Sequence, residues 1–232
     1  MPNKNAFDNS TFDGFSQSCL KFFHDLNRHN DRNWFANNRD RYIRFVSEPM
    51  KQLVGAISPM ILAFDPLVVT VPNRVVSRIY RDTRFSADKS PYRPRVWFAF
   101  KRNVDCWTST PTYFFQLEES EYMFGMGMYS APAATMRKFR ENIDNNPEKF
   151  HNIIKPIQRK RNLNLESDSY KRRIPTDHPP IIDKWYQSKS IAVLEHRKPD
   201  KILFSTELVD FLVERFVLLK PLYDFLWDAV VL

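Results

Sequence analysis

The feature that most restricts the fold is a change of period along the chain. Between residues 67 and 129 apolar side chains alternate in short β-branched or aromatic runs, whereas on either side they recur at helical spacing. Phe15, Cys19, Phe22, Phe23 and Leu26 mark a first helix that ends near residues 28–30, with Ser16 as its cap. Tyr42, Phe45, Val46, Met50, Leu53, Val54, Ile57 and Ile61 continue one long stripe, which Pro49 kinks or restarts behind Ser47. Strand patterns then occupy residues 67–71, 75–80, 95–101, 112–118 and 122–129, separated by polar or proline-containing turns. Helical patterns return at 133–145 and 147–162, followed by a basic irregular segment at 170–180, a helix at 181–186 and a late strand at 191–195. A final helix begins near residue 205, places Leu208, Leu212, Phe216, Leu219, Tyr223 and Leu226 on one face, and is expected to kink at Pro221. Strands grouped between groups of helices predict an α+β fold: a central, mainly antiparallel sheet of about five strands in a meander plus the late strand, packed with N- and C-terminal helices.

The 232 residues carry no internal repeat or linker pattern, so a single α+β domain over 1–232 is expected, with a polar, disordered tail at 1–11. Hydrophobic residues make up 43% and include 20 Phe, the composition of a chain that buries a large core. No apolar run approaches the roughly 18 residues that span a bilayer, and the N-terminus lacks a signal-peptide core, which predicts no membrane partner and a cytoplasmic location. Cys19 and Cys106 read as reduced thiols. With only four glycines in the chain, none clustered, a P-loop or dinucleotide loop is excluded, because such loops need glycine to let backbone N–H groups approach phosphate. The sequence names no cofactor and no oligomeric state.

Charge is concentrated in one place. Residues 74–102 hold nine basic side chains against Asp82 and Asp88, a balance of +7 in a chain of net +8. Within them Arg78, Arg81, Arg84, Ser86, Lys89 and Tyr92 form a candidate ligand-binding set, since guanidinium forks and a mobile ammonium bind phosphate or carboxylate oxygens. Strand alternation puts Val76, Arg78 and Tyr80 on one face and Ser77, Ile79 and Arg81 on the other, leaving 82–92 as a loop. The alternative is that Asp82 and Asp88 pair with these cations and merely hold the loop. Both readings stand at this point.

Gly125 and Gly127 share a strand face, which predicts a shallow groove or a close packing contact, the latter favoured; Trp97, Tyr113 and Glu118 are candidates to line a pocket on the sheet. The histidines lack metal-ligand spacing, so no metal site is expected. His178 follows Asp177 beside the basic residues Lys171, Arg172 and Arg173; an acid/base pair is one reading and a helix cap by Asp177 the preferred one. Residues 155–173 add seven basic and two acidic residues, so the two segments together carry +12 and the remainder about −4. That asymmetry admits a nucleic-acid partner, although only residues 95–101 loosely match an RNA-recognition strand and no zinc finger or helix-turn-helix pattern occurs.

The residues Phe12-Asp-Gly-Phe15, Asn30-Asp-Arg-Asn-Trp-Phe35 and Arg78-Ile-Tyr-Arg-Asp-Thr-Arg-Phe-Ser-Ala-Asp-Lys-Ser-Pro-Tyr92, followed by Gly125-Met-Gly127 with Tyr129 and Pro132 and then Asp177-His-Pro179, resemble in order the signatures of the bacterial and fungal proteins grouped as domain of unknown function 2461. The resemblance runs over nearly the whole chain and implies a compact α+β fold. It brings no activity, cofactor or catalytic residue. Two departures stand out: the stretch 171–179 is shorter than the family's, and the glycine strand is sparser in glycine.

The leading expectation is therefore binding of an anionic small molecule at residues 78–92, with catalysis left open and Asp82, Asp88 and His178 as proton-transfer candidates. A nucleic-acid-binding module using both basic segments and a structural or interaction domain with an internal Arg/Asp network are the alternatives.

Overall fold

The computed structural model describes residues 11–84 and 87–231. The tail expected at 1–11 lies, except for Thr11, outside the described residues, as does the candidate ligand residue Ser86. The first helix, α1 (Gln17–Arg28), buries Cys19, Phe22, Phe23 and Leu26, the stripe its spacing predicts. Ser16 occupies the cap position without making a side-chain cap bond. In α2 (Arg32–Tyr42) Asp31 does cap, accepting the Trp34 N–H at 2.9 Å. A π-turn (Ile43–Ser47) joins it to α3 (Glu48–Phe64), with Pro49 in the first turn of the latter. The Glu48 N–H reaches back to the Ile43 carbonyl, so the wider turn accommodates a proline that has no N–H to give.

The sheet contains β1 (Val68–Val69), β2 (Arg95–Arg102), β3 (Thr112–Glu118), β4 (Tyr122–Gly127), β5 (Asn164–Glu166) and β6 (Ala192–Arg197), all antiparallel, in the order β1-β2-β3-β4-β6-β5. The α+β fold with an open antiparallel sheet is as expected. Two elements differ. The strand expected at 75–80 is replaced by a one-turn helix, α4 (Pro72–Val75), and an extended segment with one isolated bridge to β2 at Phe98 and another to Tyr92 ahead of it. Pro72 sits in the first turn, where a missing N–H costs nothing. The strand β5 falls past the end of a helix expected to reach residue 162; α6 (Pro147–Arg159) stops sooner and the chain turns to lie along β6. The remaining helices are α5 (Ala133–Asn145), α7 (Pro180–Tyr186) and α8 (Glu207–Trp227), the last continuing as helix through Pro221.

Helices α3 and α8 pack on one face of the sheet. Phe211, Phe216 and Tyr223 of α8 meet Phe124 and Tyr113 with ring centroids 4.9–5.5 Å apart, Phe64 of α3 also reaches Tyr113, and Phe15 stacks on Phe115. Burying each such ring is worth about 2 kcal/mol. On this inner face Glu195 of β6 is fully buried, bonded to Arg197 at 3.0 Å and to Arg215 of α8 at 3.1 Å; Arg197 also pairs with Asp200. Both guanidinium groups flank the Phe211 ring. Asp65, also buried, ties β2 to α8 by accepting from Arg102 at 2.7 Å and from the Tyr223 hydroxyl at 2.6 Å. Among the described residues no helix is long and apolar enough to cross a membrane.

Candidate functional site

The basic stretch forms a hairpin at the β2 edge. Val76 bridges Phe98, Tyr80 bridges Tyr92, and the Arg81 and Arg93 N–H groups donate across the pair to Pro91 and Ile79. Between the two bridges one side advances four residues and the other six, so the β2 side bulges. Pro94 lies in the bulge, where a residue without an N–H leaves no broken ladder bond. The expected alternation holds in the extended segment: Arg78 and Tyr80 are exposed, Ile79 is buried and Arg81 is partly buried.

Within the loop the carboxylates take up cations. Arg84 grips Asp82 through Nε at 3.0 Å and Nη2 at 2.7 Å, and donates its backbone N–H as well. That guanidinium, together with the N–H, lowers the Asp82 carboxyl to about 2. Arg81 pairs with Asp88, which also accepts the Ser90 N–H and hydroxyl; these Ser90 donors, with the nearby Arg81, hold Asp88 below the usual range. Lys89 turns back to the Thr83 carbonyl at 2.9 Å. The Arg81 Nε is buried with no acceptor among the described residues, so Asp88 satisfies that side chain incompletely. Tyr92 is packed inward, its ring 4.2 Å from Phe35.

In the hairpin, Arg78, Arg93 and Arg95 have no acidic partner within ion-pair distance among the described residues. Arg93 lies 5.1 Å over the Trp97 ring and reaches the Arg78 carbonyl at 3.5 Å. Burial first, then the like charges of Arg95 and Arg81, lower its pKa, with Asp82 acting the other way. The sequence reading passed over Arg93 and Arg95. The available signal was distance from an acid: Arg84 has Asp82 two residues away, whereas Arg93 and Arg95 have no acid within four positions.

The strand registers put Arg95, Trp97, Ala99 and Lys101 of β2 on the outer sheet face with Phe114, Gln116 and Glu118 of β3, Met123, Gly125 and Gly127 of β4, and Ala192, Leu194 and His196 of β6. Trp97 and Glu118 thus share a face with the glycines, while Tyr113 lies on the inner face and lines nothing there. A Cβ on Gly125 would meet the Val193 carbonyl oxygen at 2.0 Å, and one on Gly127 the Ile191 oxygen at 2.4 Å. Close approach of β4 to β6 explains both glycines, in line with the packing reading.

His178 is placed elsewhere. Its Nε2 bonds Asp144 of α5 at 2.8 Å, and Asp144 also accepts from the Tyr186 hydroxyl; His178 makes no hydrogen bond or ion pair with Asp82 or Asp88. The cap expected from Asp177 is not made: α7 begins behind Pro179 without a side-chain cap, and Thr176 accepts the His178 N–H. In the second basic segment Arg173 pairs with Asp183 and Lys160 with Glu214, while Lys171 and Arg172 are exposed beyond β5. Among the described residues no group of three or more His, Cys, Asp or Glu is placed to hold a metal ion.

Two concavities lie outside this region. A groove of about 690 Å³ runs between α6 and α8, lined by Asn152, Pro156, Val217 and Pro221 among others, and a smaller one lies beside α1 and Glu119. Neither is lined by residues of the hairpin.

A search of curated proteins finds no match to the chain. The sequence model of the family described as "Conserved hypothetical protein (DUF2461)" matches residues 18–225, which takes in every signature quoted above except the first, and the chain belongs to that family.

Proposed function

We propose that the protein binds a phosphate- or carboxylate-bearing ligand at the β2 edge, with Arg93 and Arg95 as the anion contacts and Arg78 and Arg81 at their margin. The observation that carries this reading is the division of the cations. Arg84, Lys89 and Arg81 are engaged by groups of the loop itself, whereas Arg93 and Arg95 lie close to each other and make no ion pair among the described residues. Like charges brought together repel, and an anion with several oxygens relieves that repulsion while filling guanidinium forks. The engaged set then shapes the hairpin. Asp82 and Asp88, held ionised by their partners, have no proton to donate at neutral pH, so the arrangement supports binding ahead of acid catalysis.

Titration of inorganic polyphosphate by calorimetry at low and raised salt tests the reading. Wild-type protein is expected to bind with an affinity that falls as salt rises, and Arg93→Ala/Arg95→Ala to bind at least about tenfold more weakly. Absence of binding at low salt, or an unaltered affinity in the double variant, would sink it.

A further inference from the structure

Among the described residues no aromatic ring of a helix packs on the outer face of the sheet. The ring contacts between helices and the sheet are made on the inner face, by Phe64, Phe211, Phe216 and Tyr223. An antiparallel sheet tolerates one solvated face, and such a face is normally polar. Here its middle is apolar. Trp97 and Phe114 stand on neighbouring strands, diagonal to each other across the Ala99–Phe114 and Trp97–Gln116 pairs. Both are partly exposed and neither packs against the hydrophobic core, while Ala99 and Leu194 on the same face are 6% and 8% exposed.

Cations mark both ends of this strip. Arg93 lies over Trp97, Arg95 follows on the same face, and at the other end of β2 Lys101 sits 3.6 Å above the Trp107 ring. Acids lie toward the β3–β4 turn: Glu118 is the cross-strand neighbour of Arg95, and farther across the sheet Glu121 and Glu166 clasp His196. The face is therefore polarised, basic along β2 and acidic near the β3–β4 turn. The two basic segments noted in the sequence flank it, one at the β2 edge and one running on from β5, four inter-strand spacings or roughly 19 Å away. A small anion uses one edge only. A chain of phosphates carrying flat rings uses the edge and the aromatic floor together.

Resting on the anion-binding reading above, we infer that the ligand is a single-stranded nucleic acid laid across this face, its bases stacked on Trp97 and Phe114 and its phosphates held by Arg95 and Arg93. Stacking on aromatic side chains with a basic groove alongside is how single strands are held without sequence preference, and it requires unpaired bases with free faces. A duplex hides those faces and is too stiff to follow a twisted sheet.

Fluorescence anisotropy with labelled fifteen-residue oligo-dT and oligo-U, with the matching duplexes and with inorganic polyphosphate as a base-free competitor, separates the two proposals. Trp97→Leu and Phe114→Leu keep apolar bulk and remove the stacking ring, and thermal melts establish that each variant is folded. The expected result is at least about a fivefold loss of single-strand affinity in each variant, with polyphosphate affinity unchanged and duplex bound more weakly than single strand. If single-strand affinity survives both substitutions, or duplex is preferred, the stacking proposal falls while anion binding stands. If neither oligonucleotide nor polyphosphate binds at low salt, both fall.

Discussion

The side-chain amide of Asn30 makes both hydrogen bonds that a neighbouring strand would make to Tyr92: its Oδ1 accepts the Tyr92 N–H at 3.0 Å and its Nδ2 donates to the Tyr92 carbonyl at 2.9 Å. Asn30 stands just before α2 and Tyr92 closes the hairpin loop, and the Phe35 ring stacked on Tyr92 reinforces the join. Two of the family signatures are thus one structural device, in which a helix start clamps the base of a basic loop. Asn30→Ala leaves two backbone groups of a buried residue without partners and is expected to cost about 2 kcal/mol. Hydrogen exchange should show faster loss of protection at Tyr92 and Arg81 than at β3.

Glycine substitutions separate close approach from mere flexibility. Gly125→Ala drives a methyl group into the Val193 carbonyl, a backbone atom that cannot swing aside, and is expected to lose about 3 kcal/mol. Gly55 of α3 has nothing within 4 Å of an added Cβ, so Gly55→Ala is expected to gain about 0.5 kcal/mol from helix propensity. Urea denaturation of the two variants measures both.

A third expectation concerns Glu195, buried between Arg197 and Arg215. Removing the shared carboxylate in Glu195→Ala leaves two partly buried guanidinium groups short of an acceptor and should cost about 3 kcal/mol in the same denaturation assay.

His196 supplies a pH dependence. Burial pulls its pKa down, but Glu121 and Glu166, bonded at 3.0 and 2.9 Å, outweigh that and raise it above the ordinary histidine value. A group with a raised folded pKa stabilises fully below its unfolded pKa, and that stabilisation disappears as pH climbs through the folded one. Both partners are well exposed, so the effect is about 0.5 kcal/mol after screening. His196→Gln should therefore be less stable than wild type near about pH 5.5, and the gap should close as the solution is made alkaline.

Much of the architecture was legible because burial on one side imposes a period. The stripe from Phe15 to Leu26, the alternation in β2, β3 and β4, and the face of α8 all follow from which side chains had to leave water. The segment at 75–80 misled because Val75, Val76 and Ile79 alternate like a strand, while Pro72 starts a helical turn and Pro94 bulges the partner, leaving pairing only at Val76 and Tyr80. The strand β5 was hidden in a polar stretch, where an edge of three residues buries too little to leave a pattern. At the candidate site the basic run could be seen, but its partition could not: whether Arg84 or Arg95 keeps its charge available depends on which side chains the hairpin brings within 3 Å of each carboxylate. Tyr113 was placed among the pocket candidates because alternation gives relative faces, and only the covering of one face by α8 shows which is inward.

The most direct test compares two double variants that remove the same charge. Arg93→Ala/Arg95→Ala and Arg84→Ala/Lys89→Ala each take two positive charges from the hairpin, so any effect of net charge alone is equal in both. In polyphosphate calorimetry at one salt concentration, the expected result is at least about a tenfold loss for the first and less than about a threefold loss for the second. Equal losses, or a greater loss when Arg84 and Lys89 are removed, would contradict the assignment of anion binding to the arginines that the loop leaves unpaired.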